Sequence, residues 1–147
     1  VVLGMAFAWA VPMAFAAQTE SLPKEAWLIY TVTVLWAVIY DTMYAMVDRE
    51  DDLKIGVKST AILFGDGDRL IIGVLQVFMF FTLYSLGKQQ QFHEPYYTGV
   101  ILAAGFAIYH QYLIRHRDPK ACFEAFLNNN WLVAALFVGL ALEYAVY

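Results

Sequence analysis

Residues 70–87 read Leu70-Ile-Ile-Gly-Val-Leu-Gln-Val-Phe-Met-Phe-Phe-Thr-Leu-Tyr-Ser-Leu-Gly87, with no Asp, Glu, Lys or Arg among them. A helix needs about 17–25 predominantly apolar residues to cross a bilayer, and this run has that length unaided. Working outward, residues 1–17 and 96–114 are equally free of those four types. Residues 26–47 are interrupted only by Asp41, and residues 128–147 only by Glu143. Backbone polar groups in hydrocarbon must be satisfied within their own segment, so such runs predict helices rather than strands. Composition agrees: of 147 residues, 61% are hydrophobic and 15% charged, with a mean hydropathy of +0.56. Soluble domains hold roughly 45–50% apolar and about 25% charged residues. A water-soluble enzyme, a disordered tail and a basic nucleic-acid binder are poor fits on that ground, and no nucleic-acid partner is expected. The expected fold is an all-α, polytopic bundle of five transmembrane helices in a lipid bilayer, with one long connection at 48–69.

Lys24 and Lys88 fall on one side of such a bundle, and Arg49, Lys54, Lys58, Arg69, Arg115, Arg117 and Lys120 on the other. This bias predicts that the loops at 48–69 and 115–127 face the cytoplasm. Ala14-Phe15-Ala16 has the small-x-small form of a signal-peptide cleavage site, but no basic region precedes it. A helix cut from a longer protein is the better reading of the first run. The single Cys122 reads as a reduced thiol in a cytoplasmic loop. His110 reads as a hydrogen-bonded helix contact, His116 as an anchor, His93 as a loop residue, Glu143 as lying near the outer interface, and Asp66 and Asp68 as parts of a turn around Gly67.

Chemistry concentrates where the second run ends, in Tyr40-Asp41-Thr-Met-Tyr44-Ala-Met-Val-Asp48-Arg49-Glu50-Asp51-Asp52. If one helix continues through Asp52, then Asp41, Tyr44, Asp48 and Asp52 share a face. Three carboxylates on that stripe predict a cation site, and hard oxygen donors suit Mg²⁺, which binds through one or two carboxylates plus phosphate oxygens. Lys54 and Lys58, just beyond, are placed to meet the outer oxygens of such a phosphate. The bland alternative is a solvated acidic turn. Two arguments oppose it: Asp41 lies within an apolar span, where a carboxylate costs about 2.5–3.5 kcal/mol on insertion scales, and acids crowding a helix C-terminus oppose its dipole. An EF-hand is excluded, because Leu53 and Ser59 occupy its glycine and closing-glutamate positions.

The run from Asp41 to Gly65 resembles the second aspartate-rich motif of the UbiA family of membrane prenyltransferases, nearest to the branch that acts on 4-hydroxybenzoate in the ubiquinone pathway. Leu3-Gly4-Met-Ala-Phe7-Ala-Trp9 resembles that family's fifth helix. The resemblance implies a nine-helix all-α fold of which residues 1–147 are the C-terminal half, helices five to nine, with helices one to four missing from this chain. It implies Mg²⁺, a polyprenyl diphosphate donor and an aromatic acid acceptor between two facing motifs. On this likeness Asp48 and Asp52 are magnesium carboxylates with Asp51 beside them, and Asp41 and Tyr44 belong to the catalytic wall. Lys58 and Lys54 are diphosphate partners, Arg49 meets the acceptor's carboxylate, and Asp48 accepts the ring proton. Tyr30, Trp36, Tyr40 and Tyr44 offer aromatic faces to an electron-poor prenyl group. The family's first motif is absent, since no Asn-Asp pair occurs, so this chain is expected to be inactive alone. The implied location is a bacterial or mitochondrial inner membrane, with the site facing the cytoplasm or its equivalent. The alternative is half of an ion-coupled transporter using Asp41 and Asp48 as relays.

Overall fold

A computed structural model of the chain describes residues 2–147. Eight α-helices follow one another: α1 (Val2–Ala8), α2 (Ala10–Thr19), α3 (Lys24–Val47), α4 (Arg49–Ile55), α5 (Thr60–Phe64), α6 (Asp68–Gln90), α7 (Glu94–Leu113) and α8 (Pro119–Val146). Short 3₁₀ turns at Gly65–Gly67 and Ile114–His116 lead into α6 and out of α7. No strand occurs among the described residues. The break between α1 and α2 has a covalent cause: Pro12 carries no N–H for the carbonyl four residues earlier, so the ladder lapses there.

Three expectations change. The last helix was expected at 128–147 but starts at Pro119, so much of the expected 115–127 loop is helical. The Asp118 side chain accepts from Ala121 N at 3.0 Å, and Pro119 sits in the first turn where its missing N–H costs nothing. Cys122 consequently lies buried in α8, packed in the core, rather than in a loop. Of the five expected spans, four are long and apolar enough to cross a membrane: Val2–Thr19, Lys24–Val47, Thr60–Gln90 and Pro119–Val146. The fifth, α7, forms a 20-residue helix, but the tyrosines, His110 and Gln111 towards its two ends lower its mean hydropathy.

α3 is the hub, packing against α1, α2, α6 and α8, while α7 lies along α8. The α7–α8 approach is set by two glycines, since a Cβ on Gly99 would stand 2.8 Å from Gly139 Cα and 2.7 Å from the Ala135 carbonyl oxygen. The core joins Ile39, Met43 and Met46 of α3 to Ile72 and Met79 of α6, Ala103 and Ala107 of α7, and Ala125 and Leu132 of α8. Large apolar side chains also cover the outside: Val77, Ile101, Ile108 and Phe137 are 69–72% exposed. Such a surface is suited to lipid and not to water. The chain is an integral membrane protein with a polytopic all-α fold.

Candidate functional site

The decisive local event is at Asp48. α3 ends at Val47, Asp48 adopts φ −92° and ψ 6°, and α4 starts at Arg49. The expected continuous helix through Asp52 is therefore bent. Glu50, Asp51 and Asp52 occupy the first turn of a new helix, where the dipole favours negative charge. This reverses the dipole argument made from the sequence, which had put these acids at a helix C-terminus. Asp41 itself lies half-buried within α3, one of the helices long and apolar enough to cross a membrane.

The expected three-carboxylate stripe does not form a cage. Among the described residues no three His, Cys, Asp or Glu side chains gather closely enough to hold a metal. The physical reason is helical rise: seven residues separate Asp41 from Asp48 by about 10 Å along the axis, beyond the reach of one ion. Asp48 and Asp52 are closer, a single turn apart, with the Asp52 amide donating to the Asp48 carbonyl at 2.8 Å. Both are half-buried. Two carboxylates one turn apart match the donor chemistry of Mg²⁺, which takes one or two carboxylates and leaves further positions to phosphate and water.

The neighbouring charges divide into engaged and free. Asp51 is exposed and bound to Lys54 at 2.8 Å, also an exposed pair. The Lys54 ammonium beside it holds the Asp51 carboxyl below the usual carboxylate value, and Asp51 in turn raises Lys54. Lys54 is thus committed to Asp51 rather than free for a phosphate. Lys58 is exposed and has no acidic partner among the described residues. It follows Gly56, whose φ of 74° ends α4 in the left-handed region that glycine adopts without steric cost.

Arg49 departs from its expected place as well. Its guanidinium lies 3.4 Å from Asp68 and 3.8 Å from Asp66, not in open space awaiting an acceptor carboxylate. Asp68 is far more than part of a turn. It is fully buried, and Arg117 Nε donates to both its oxygens at 3.0 Å, with Nη2 at 2.8 Å. The backbone N–H of Arg69 adds a fourth bond at 2.7 Å. The Asp68 carboxylate holds Arg117 still more firmly protonated than usual. This tie joins the α3–α4 bend to the start of α6 and to the α7–α8 connection. Sequence offered no means of pairing groups 19 and 49 positions apart.

Above the bend, α3 presents an aromatic row. Trp36 stacks on Tyr40 at 5.2 Å, Tyr40 stacks on Phe126 of α8 at 4.2 Å, and Tyr44 meets Phe126 at 5.0 Å. Leu3, Gly4 and Phe7 of α1 close a cavity of about 230 Å³ over Trp36, Ala37, Tyr40 and Asp41. Asp41 is the one acidic group lining it. Tyr30 does not join this row. It clusters with Trp9 and Trp27, at 6.0 and 5.9 Å, some ten residues and about 15 Å farther along α3. Phe7 is marked by the sequence only through the fifth-helix resemblance and Phe126 not at all, because only packing brings α1 and α8 to α3. The histidines lie elsewhere. His110 is fully buried, but neither ring nitrogen has the hydrogen bond expected of it. His93 is an exposed loop residue, and its backbone N–H and Nδ1 both lie 2.8 Å from Glu143.

The sequence model of the UbiA prenyltransferase family matches residues 1–137, a range that contains every residue of this site. The chain belongs to that family. Three UbiA-type relatives show how near the likeness is, each a 4-hydroxybenzoate octaprenyltransferase. That of Methylococcus capsulatus is 58% identical over 142 residues, covering 97% of this chain and 49% of that protein. That of Nitrosococcus oceani is 58% identical over 142 residues, covering 97% and 50%. That of Hahella chejuensis is 56% identical over 144 residues, covering 98% and 48%. The chain spans about half the length of the curated relatives it matches. No solved structure matches it.

Proposed function

We propose that this chain is the C-terminal half of a membrane aromatic prenyltransferase, which transfers a polyprenyl group from its diphosphate to 4-hydroxybenzoate in ubiquinone biosynthesis. The missing helices one to four would carry the first aspartate-rich motif. The observation that carries the reading is that one helix, α3, places Asp41 in an aromatic-lined cavity and ends at the Asp48–Asp52 pair. The close likeness to 4-hydroxybenzoate octaprenyltransferases supports the donor and acceptor classes. Asp48 and Asp52 would hold Mg²⁺, and Lys58 would meet the outer oxygens of the diphosphate. When bound, Mg²⁺ supplies neutralisation of the charge that grows on the departing diphosphate.

In the reaction the bond between prenyl C1 and the bridging oxygen breaks, diphosphate leaves, and a ring carbon of the acceptor forms the new bond to C1. Trp36 and Tyr40 line the Asp41 cavity and would offer aromatic surface to the electron-poor prenyl carbon before it is captured, with Tyr44 in contact with Phe126 beside them. The ring must then lose a proton. Asp48 was the first candidate to accept it, but Asp41 lines the aromatic cavity and Asp48 does not, so this reading gives the proton to Asp41. The remaining loop residues Arg49, Asp51 and Lys54 support the site through their ion pairs. Orientation towards the cytoplasm of a bacterial inner membrane, or its mitochondrial equivalent, follows the charge bias of the loops. Family membership leaves the transporter alternative without a supporting observation.

The test uses the intact protein in detergent or nanodiscs, with a prenyl diphosphate, 4-hydroxybenzoate and a Mg²⁺ titration. Asp48→Asn and Asp52→Asn should each lower kcat/KM by about 10²-fold or more, the scale seen when one charge-stabilising group is lost. Asp51→Asn should change it little. Magnesium-dependent turnover that survives Asp48→Asn and Asp52→Asn unchanged would refute the proposal.

A further inference from the structure

Outside this site a groove of about 750 Å³ runs along the seam of α6 and α7, lined by Arg69, Gly73 and Gln76 on one side and Ala104, Ile108 and Gln111 on the other. Its walls are apolar apart from the Gln76–Gln111 hydrogen bond of 2.9 Å and one cation, Arg69. From Arg69 to Phe80, both lining residues, the groove follows α6 for about 16 Å.

Its charged end lies beside two of the protein's four arginines, Arg69 and Arg115. Arg49, Arg117 and Lys54 all have carboxylate partners, whereas Arg69 and Arg115 have none among the described residues. Arg69 Nη1 donates to the Arg115 carbonyl oxygen. Arg115 Nη1 donates to the Tyr112 carbonyl at 2.9 Å, and its guanidinium lies 3.5 Å over the Tyr112 ring. Arg69 Nε is shielded from solvent without an acceptor. Arg69 therefore caps the apolar trough, and Arg115, joined to it through its backbone carbonyl, adds a second uncompensated guanidinium nearby, at the end of the bundle that the basic loops assign to the cytoplasm.

We propose that this groove binds an anionic phospholipid, its phosphate on Arg69 and Arg115 and one acyl chain along α6 and α7. Charge complementarity selects the headgroup: guanidinium groups match phosphate oxygens in planar, bidentate geometry. Basic pockets between transmembrane helices on the cytoplasmic side, where the leaflet is negatively charged, are suited to such lipids. The trough length selects a lipid over a free phosphate, which has nothing to place there. The proposal is independent of the reaction proposed above.

The experiment is native mass spectrometry of the intact protein released from nanodiscs containing phosphatidylglycerol and phosphatidylcholine with the same acyl chains. The expected result is one retained phosphatidylglycerol, favoured over phosphatidylcholine by about tenfold or more. The Arg69→Gln/Arg115→Gln double variant should lose that preference, and Ala104→Leu, which fills the groove, should lower retention without touching a charge. Excess inorganic phosphate should not displace the lipid. Equal retention of the two lipids by the unaltered protein, or undiminished preference in the double variant, would overturn the site. Cross-linking of Cys introduced at Val77 to another protein segment would overturn it too, because the groove would then hold a helix.

Discussion

Replacing Asp68 by Asn removes one charge from the tie that joins three connections at the basic end of the bundle. In the folded protein this carboxylate has no exposure, accepts from Arg117 at 2.8–3.0 Å and from the Arg69 N–H at 2.7 Å, and lies 3.4 Å from Arg49. Removing one member of a fully buried pair costs about 3–5 kcal/mol, because the other charge is left desolvated. Here the two arginine side chains are 26–27% exposed and retain some water. The cost should therefore fall to about 2–3 kcal/mol for Asp68→Asn, which still offers one carbonyl acceptor. At about 2–4 °C per kcal/mol, the melting temperature of the intact protein in detergent should drop by about 4–12 °C, read by scanning fluorimetry. Arg117→Ala should cost more than Asp68→Asn, since it strands a carboxylate that has no access to water. Arg49→Ala should cost least, about 1 kcal/mol, because its contact is longer and partly hydrated. A melting temperature for Asp68→Asn within about 1 °C of the unaltered protein, or Arg49→Ala as the worst of the three, would refute this reasoning.

Three further outcomes follow from particular contacts. Gly99→Leu should destabilise the α7–α8 pair by about 1–3 kcal/mol or more through overpacking, whereas Gly105→Ala, whose Cβ would meet nothing within 4 Å, should be neutral or slightly stabilising; thermal melts compare them. Asp41→Leu should abolish turnover while leaving magnesium-dependent donor binding intact, and loss of both together would mean that Asp41 serves the diphosphate instead. The Asp51–Lys54 pair should contribute no pH dependence between pH 5 and 9. Asp51 is shifted below its ordinary 3.8, so its contribution is lost only as pH falls through that lowered value. Lys54 is shifted above 10.5, so its contribution is lost only as pH rises through that raised value. Melting temperatures of the unaltered protein and Lys54→Met should therefore run parallel across that range, and divergence near neutrality would contradict the assignment.

Much of the site was visible in the chain before any fold was known, but unevenly. The apolar runs located the helices, and the spacing of Asp48 and Asp52 already implied neighbours one turn apart. The bend at Asp48 was not visible, because Val47 and Asp48 carry no Pro or Gly to announce a break. That bend reversed the dipole argument and split the expected stripe. Arg49 looked available, yet its partner Asp68 lies beyond two short helices and a turn. Local pattern could not pair them.

Hydropathy along the chain was enough to determine that this is a helical membrane protein, since a backbone in hydrocarbon has few other ways to satisfy its hydrogen bonds. Composition near Asp41–Asp52 was enough to mark the candidate site proposed above. Only the tertiary structure decided which of the remaining charges are engaged and which are free: Asp68 buried between Arg49 and Arg117, and Lys58, Arg69 and Arg115 left without acidic partners among the described residues. The reason is the range of the forces. Helix formation answers to neighbours within four residues, whereas an ion pair answers to distance in space, and space is set only when α3, α6, α7 and α8 have packed.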